Sequence, residues 1–369
     1  VSEGKMKKKF LYLLGIILLI VAVFYIIKPK QNIFVRLHDK NIARVHHTAT
    51  LLNDGRVFIV GGDSSPSSQI SSMEIYNPLT KKINIVGIIN TPRSNQTATL
   101  LNDGKVLISG GKNKFKFLSS MEIYDPVKNT IVKINNMKYA RTNHTATLLS
   151  DGNVLIIGGI DRKGPLNSAE IYDPVKNTIV KINNMKYART NHTATLLKDG
   201  NVLIVGGSYT YPPAEIYNPK TDKFIELGQT INPREQHTAT LLNNGMVLII
   251  GGSYNQKTLS SIEAFDPKIN KFIFLGNMNK ARSGHTATLL KDNNILIAGG
   301  NKSLSWGYET LSNAELYDVN LSRSTFLSDM NKSRDGHTAI LLKNGNVFIN
   351  GGADINYNVR DFSELFMSN

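Results

Sequence analysis

The chain of 369 residues contains no cysteine. That absence removes disulfides, thiolate nucleophiles, cysteine metal ligands and lipids attached through cysteine, yet it assigns no compartment. Tryptophan is also scarce, with a single copy at Trp306. Acidic residues are outnumbered, 28 against 43 lysines and arginines, for a formal charge of +15. Six of the lysines (Lys5, Lys7, Lys8, Lys9, Lys28, Lys30) and one acid, Glu3, lie in the first thirty residues. Without them the body holds 37 basic and 27 acidic residues, about +10, a balance that favours an acidic surface, a polyanion or anionic lipid. A lysine- and asparagine-rich exterior that merely solvates the fold is the simpler reading of the same numbers.

One long apolar run is present. Residues 10–27 read FLYLLGIILLIVAVFYII, eighteen positions without charge or amide, between Lys7, Lys8, Lys9 and Lys28, Lys30. At 1.5 Å per residue this covers most of a bilayer. The expected organisation is a basic tail at 1–9, a transmembrane helix at 10–27 acting as a single-pass anchor, a linker at 28–32 and a folded body at 33–369. A cleaved signal peptide has the same charged start and apolar centre, but no A-x-A site follows. The basic cluster before Phe10 points to a cytoplasmic N-terminus and an exported body, while Lys28, Lys30 and Arg36 weaken the charge bias.

From Arg44 onward a unit recurs seven times. It begins RVHHTATLLNDGRVFIVGG at 44–62, RSNQTATLLNDGKVLISGG at 93–111 and RTNHTATLLSDGNVLIIGG at 141–159, with further copies from Arg189, Arg234, Arg282 and Arg334. Successive arginines are 49, 48, 48, 45, 48 and 52 residues apart. Within each unit HTATLL forms a strand, DG or NG a tight turn, and VLIVGG its antiparallel partner. A variable loop leads to a third strand such as AEIYDP, stopped by Asn or Asp before Pro, and a short fourth strand follows. Four short strands per unit make one blade of a propeller, and seven units close a ring. Residues 122–149 repeat identically at 170–197, so those positions build blades, because no single pocket needs the same residues twice. The last unit lacks its fourth strand, and 33–36 resembles one. The N-terminal strand is therefore expected to complete the C-terminal blade.

The paired glycines, the Glu and Tyr of the third strand and the arginine before the next unit resemble the kelch repeat. The HTATLLxDGxVLIxGG form resembles kelch-type bacterial propellers and the propeller of galactose oxidase. The resemblance covers about 44–366 and implies an all-β, seven-bladed kelch propeller. It selects no activity, because the family includes protein-binding scaffolds, sugar oxidases and sialic-acid epimerases. A galactose oxidase needs a tyrosine cross-linked to cysteine beside copper, which a chain without cysteine cannot make, and no cofactor is expected. The Asp-box repeats of sialidases do not occur.

His47, Gln96, His144, His192, His237, His285 and His337 form a column at the start of the first strands. Each comes from a different blade, so a structural role is expected, with each imidazole bonded to a backbone group between blades, and no metal site. Arg141, Arg189, Arg234, Arg282 and Arg334, with Arg44 and Arg93, are expected to bond carbonyls or the series Glu74, Glu122, Glu170, Glu215, Glu263, Glu315 and Glu364. The double glycines, among them Gly158, Gly159, Gly206 and Gly207, lack the lysine and helix of a phosphate loop and are given a steric role. Variation concentrates between second and third strands, and there the aromatics fall. Phe117, Tyr209, Tyr211, Tyr254, Trp306, Tyr308 and Tyr357 are the candidate binding residues, on a face suited to a glycan or protein partner. The function expected is a membrane-tethered, noncatalytic, monomeric propeller with no nucleic-acid partner. The alternative is an exported carbohydrate-active enzyme resembling an epimerase, with Asp161, Arg162, Glu309, Asp354, Arg360 and Asp361 as acid, base or substrate-binding candidates.

Overall fold

A computed structural model describes residues 33–40, 42–207 and 212–368. The basic tail, the apolar segment 10–27 and the linker lie outside the described residues, as do Tyr209 and Tyr211. Among the described residues no helix is long and apolar enough to cross a membrane.

Seven four-stranded antiparallel sheets follow one another along the chain. Blade 1 consists of Thr48–Leu51, Val57–Val60, Ser72–Asn77 and Lys82–Ile88. Blades 2 to 6 repeat this order, and their first strands begin at Thr97, Thr145, Thr193, Thr238 and Thr286. Blade 7 takes Thr338–Leu341, Val347–Asn350 and Phe362–Met367 from the end of the chain. Its fourth strand is Ile33–Lys40, paired antiparallel with Ile33 opposite Met367 and Lys40 opposite Phe362. Phe34 packs on Phe366 with ring centroids 5.3 Å apart, and the Arg36 guanidinium lies 4.1 Å over the Phe362 ring. Neighbouring first strands touch all round the axis, the seventh meeting the first.

The second strands explain why the core lies between blades. All seven are buried along their whole length. Side chains alternate faces along a strand, so a continuous apolar run requires cover on both sides. Val57 and Ile59 pack with Phe348 and Leu365 of blade 7, whereas Phe58 and Val60 pack with Val106 and Ile108 of blade 2. The third-strand tyrosines seal these interfaces: Tyr124 stacks on Phe58 at 4.3 Å and Tyr76 on Phe348 at 4.1 Å. Each buried Val, Ile or Phe stabilises the ring by about 1.5–3 kcal/mol, so every blade depends on both neighbours. First strands carry Thr and Ala, small enough for seven of them to approach one axis.

The first turn of each blade is a tight hydrogen-bonded turn that ends in a left-handed residue. In blade 1 the Gly55 N–H donates to Leu52 O (2.9 Å) and the Leu52 N–H to Arg56 O (2.8 Å), with Gly55 at φ 90°. Blade 6 places Asn293 at the same point, at φ 68°.

Candidate functional site

Each blade contains a buried clasp. Arg141 donates from Nη1 to Gly158 O (2.7 Å) and from Nη2 to Glu170 Oε1 (2.7 Å). Glu170 Oε2 accepts the Lys138 N–H (2.7 Å) from the segment arriving from blade 2. Arg44–Glu74, Arg93–Glu122, Arg189–Glu215, Arg234–Glu263, Arg282–Glu315 and Arg334–Glu364 repeat the pairing, all with side chains at most 2% exposed. Burial lowers the guanidinium pKa values, that of Arg334 to about 10, so every arginine stays charged at neutral pH. Seven pairs hold seven crossovers, although the buried Nε of Arg44, Arg141, Arg282 and Arg334 has no partner. Deleting one partner strands a buried charge, typically at a cost of about 3–5 kcal/mol.

The histidines reach sideways. Nε2 of His192 lies 3.0 Å from Thr145 Oγ1 on the preceding blade, and His47, His144, His237, His285 and His337 meet Thr338, Thr97, Thr193, Thr238 and Thr286 at 2.9–3.2 Å. The partner is thus a threonine hydroxyl rather than a backbone group, because the T of each HTATLL faces the next blade across the axis. Gln96 does reach backbone, donating to Val60 O (2.8 Å). Burial first, then Arg189 and Arg141, depresses His192 to about 3, and His337 falls equally far through burial, Arg334 and Arg282. The ring is therefore neutral at pH 7. The double glycines let it close. A Cβ on Gly158 would sit 2.6 Å from His192 Cε1 and 2.7 Å from Arg189 O, and one on Gly159 would sit 2.6 Å from Thr142 O. Among the described residues no three His, Asp or Glu side chains are placed to hold a metal ion.

Above the histidines runs a circle of backbone. His46, Asn95, Asn143, Asn191, Gln236, Gly284 and Gly336 all have φ between 52° and 64°. The His46 N–H donates to Gly336 O (3.0 Å), Asn95 to His46 (3.0 Å), Asn143 to Asn95 (3.3 Å), and the chain continues through Asn191 and Gln236 to Gly284. Around this mouth stand polar groups that do not repeat. His46 Nδ1 lies 3.3 Å from Asp63 Oδ2, and Gln69 donates to Asp63 Oδ1 (2.8 Å). Asp335 has its carboxyl pKa raised by burial against the opposing pull of His46. Burial, with Asp63 nearby, pushes the Tyr357 phenol up to about 12. Of this group the sequence had singled out Tyr357 alone. The positions after each arginine read V, S, T, T, E, S, D, and that variation inside a repeated motif is the signal for Asp335 and Glu235.

The variable loops share this face. Antiparallel bridges such as Val45–Asp63 and Asp335–Ala353 tie the segment after each arginine to the loop after each double glycine. Trp306 is 93% exposed at the tip of a hairpin formed by Asn301–Ser303 and Tyr308–Thr310, with Tyr308 42% exposed. Tyr254 is half-buried in the adjoining hairpin Ser253–Tyr254/Lys257–Thr258. Reciprocal hydrogen bonds between Thr258 and Ser303 join the two hairpins. Trp306, Tyr308 and Tyr254 thus belong to one edge over blades 5 and 6. Phe117 lies across the ring in blade 2, half-buried in a bridge with Lys112, while its neighbour Phe115 is 77% exposed. Four of the six acid/base candidates, Asp161, Arg162, Asp354 and Arg360, are engaged locally. Asp354 pairs with Arg360 (2.9 Å), Arg360 also bonds Ser333 O, and Arg162 donates to Phe115 O. Clefts of about 550 and 440 Å³ open on the opposite face, between the first turns of blades 3 and 4 and of blades 1 and 2.

A family model described as the KLHDC2/KLHL20/DRC7 Kelch-repeats domain matches residues 24–207, and a Kelch motif model matches 237–279. No curated protein matches the chain. Among solved structures, a fungal alcohol oxidase, described as novel and with catalytic diversity among the AA5 family, in complex with copper, has a TM-score of 0.74. It is 16% identical, over 91% of this chain and 76% of that one. At that identity the likeness is one of fold. A cysteine-linked copper cofactor does not fit this chain, which has no cysteine. The seven blades and the recurring glycine, glutamate and arginine columns place the chain in the kelch-repeat family, as a seven-bladed β-propeller of the fold that the AA5 oxidase also has.

Proposed function

We propose that this chain is a membrane-tethered, noncatalytic propeller that binds another protein or a glycan through its variable-loop face. Residues 10–27 serve as a retained single-pass anchor and the propeller stands outside the cytoplasmic membrane as a monomer. The observation that carries the reading is a division of labour. The repeated polar groups bond within the ring, arginine to glutamate and histidine Nε2 to threonine, whereas the unrepeated loops of one face expose Trp306 and Phe115. Large exposed aromatic side chains in a polar surround are the type of residue that anchors protein and sugar ligands. Pulldown and glycan-array screening of the full chain in detergent tests it. Trp306→Ala with Tyr308→Ala should leave thermal unfolding unchanged and weaken the interaction found. Unchanged binding after loss of Trp306, Tyr308 and Phe115 together would move the site off this face.

A further inference from the structure

The face opposite the variable loops has its own pattern. It carries the first turns and the turns between third and fourth strands, which line the same clefts: Val127 and Lys128 with Asp103, and Leu79 with Gly55 and Lys343. At the tips of the outer turns stand Leu79 (94% exposed), Val127 (93%), Val175 (94%), Ile269 (54%) and Leu321 (72%). Five of seven blades therefore present an aliphatic side chain to solvent in the same turn, two or three residues after its opening Asn or Asp, a recurrence that scattered surface hydrophobics do not show. Each tip has a neighbouring cation, exposed as well: Lys81, Lys128, Lys176, Lys268 and Arg323, with Lys220 in the fourth blade. The acids of these turns are drawn inward. Asp125 Oδ1 accepts the Val127 and Lys128 N–H groups, Asp173 and Asp318 do the same in their turns and Asp266 accepts the Lys268 N–H, all four half-buried. Lys176 also pairs with Asp173. The first-turn acids Asp54, Asp103, Asp151, Asp199 and Asp292 likewise accept a backbone N–H two residues on. The outer-turn tips thus project aliphatic side chains and cations, beside first-turn aspartates that are exposed but each bonded within its own turn.

The chain enters the propeller at this face. Ile33, half exposed, is opposite Met367 at the outer-turn end of blade 7 and adds a sixth blade with an apolar residue at this face, only blade 4 lacking one. Only residues 28–32, including Lys28 and Lys30, separate Ile33 from the apolar segment ending at Ile27. Six extended steps span at most about 20 Å. We infer that this outer-turn face rests on an anionic lipid bilayer, its aliphatic tips entering the interface and its lysines meeting phosphate headgroups, with the variable loops directed away from the membrane. The inference rests on the proposal that residues 10–27 span that bilayer. Tethering makes shallow insertion effective, because a face held at the surface needs little intrinsic affinity to settle on it.

The lack of cysteine makes the test direct. Single substitutions Leu79→Cys, Val175→Cys and Leu321→Cys on this face, and Phe115→Cys and Trp306→Cys on the other, take an environment-sensitive fluorophore. The full chain is reconstituted in phosphatidylcholine vesicles with or without phosphatidylglycerol, and quenching by a headgroup-linked quencher is read. Labels at 79, 175 and 321 should be blue-shifted and quenched in phosphatidylglycerol vesicles, less so at high salt, while labels at 115 and 306 stay unquenched. Equal quenching on both faces, or none at 79, 175 and 321 in chain that resists alkaline carbonate extraction, overturns the docking while the anchor stands. If carbonate strips the chain from the vesicles, the anchor falls and the docking with it.

Discussion

Gln96 occupies in blade 2 the position that six blades give to histidine, and it spans the same gap between blades. The column thus requires a side chain that can reach across to the neighbour rather than imidazole chemistry. His192→Gln should fold and stay within about 1 kcal/mol of the parent at pH 7, whereas His192→Ala should cost about 1–3 kcal/mol, as expected when a buried hydrogen bond is lost. The histidines also set a pH response. The folded-state value of His192, about 3, lies below the unfolded value of about 6.5, so between these pH values the unfolded chain binds more protons. Stability is fully present above pH 6.5 and falls as pH drops towards 3, by up to about 1.4 kcal/mol per pH unit for each histidine. Urea unfolding from pH 7 to 4 should show a shallower decline for His192→Gln. Parallel curves for parent and variant would mean that the ring does not titrate in this way.

The first hairpin of each blade depends on one left-handed residue. Six blades place glycine there, Gly55 and its equivalents, and blade 6 places Asn293, whose buried Oδ1 has no hydrogen-bond partner. Asparagine tolerates the left-handed region better than most residues, but a side chain there still costs more than none. Asn293→Gly should raise the urea midpoint and add about 0.5–1 kcal/mol. A loss of stability would mean that the asparagine side chain contributes an interaction outweighing its backbone cost. The hairpin itself was readable in the letters DG flanked by apolar runs. The left-handed circle at the mouth was not, because His46, Asn95, Gln236 and Gly336 share a conformation without sharing a residue type.

Closure joins the ends of the chain. Phe362–Met367 is paired on one side with Val347–Asn350 and on the other with Ile33–Lys40, more than three hundred residues away in sequence. Removing residues 33–40 leaves that strand with an open edge and uncovers Phe366 and Leu365, which lie in the interfaces on either side of blade 7. Each blade is supported only by its neighbours, so damage at the closing blade should spread in both directions. The deletion should lower the thermal midpoint of the whole propeller and reduce hydrogen-exchange protection in blades 1 and 6. An unchanged midpoint would show that the three strands encoded at the end of the chain suffice.

The sequence by itself determined the number of blades and the order of strands within each, because period, turn chemistry and β-branched runs are local properties that recur seven times. It also marked which polar positions are architectural, since seven copies of arginine and glutamate cannot all serve one site. Tertiary structure decided what those columns touch: glutamate holds the crossover into its own blade, and histidine meets a threonine of the preceding blade. It alone gathered His46, Asp63, Asp335 and Tyr357 at one mouth, and joined the hairpins of Tyr254 and Trp306. Those contacts link residues 17 to 294 apart, and the long-range partners are fixed by the curvature that brings seven blades round one axis. No window of sequence contains that curvature; it exists only once the ring has closed.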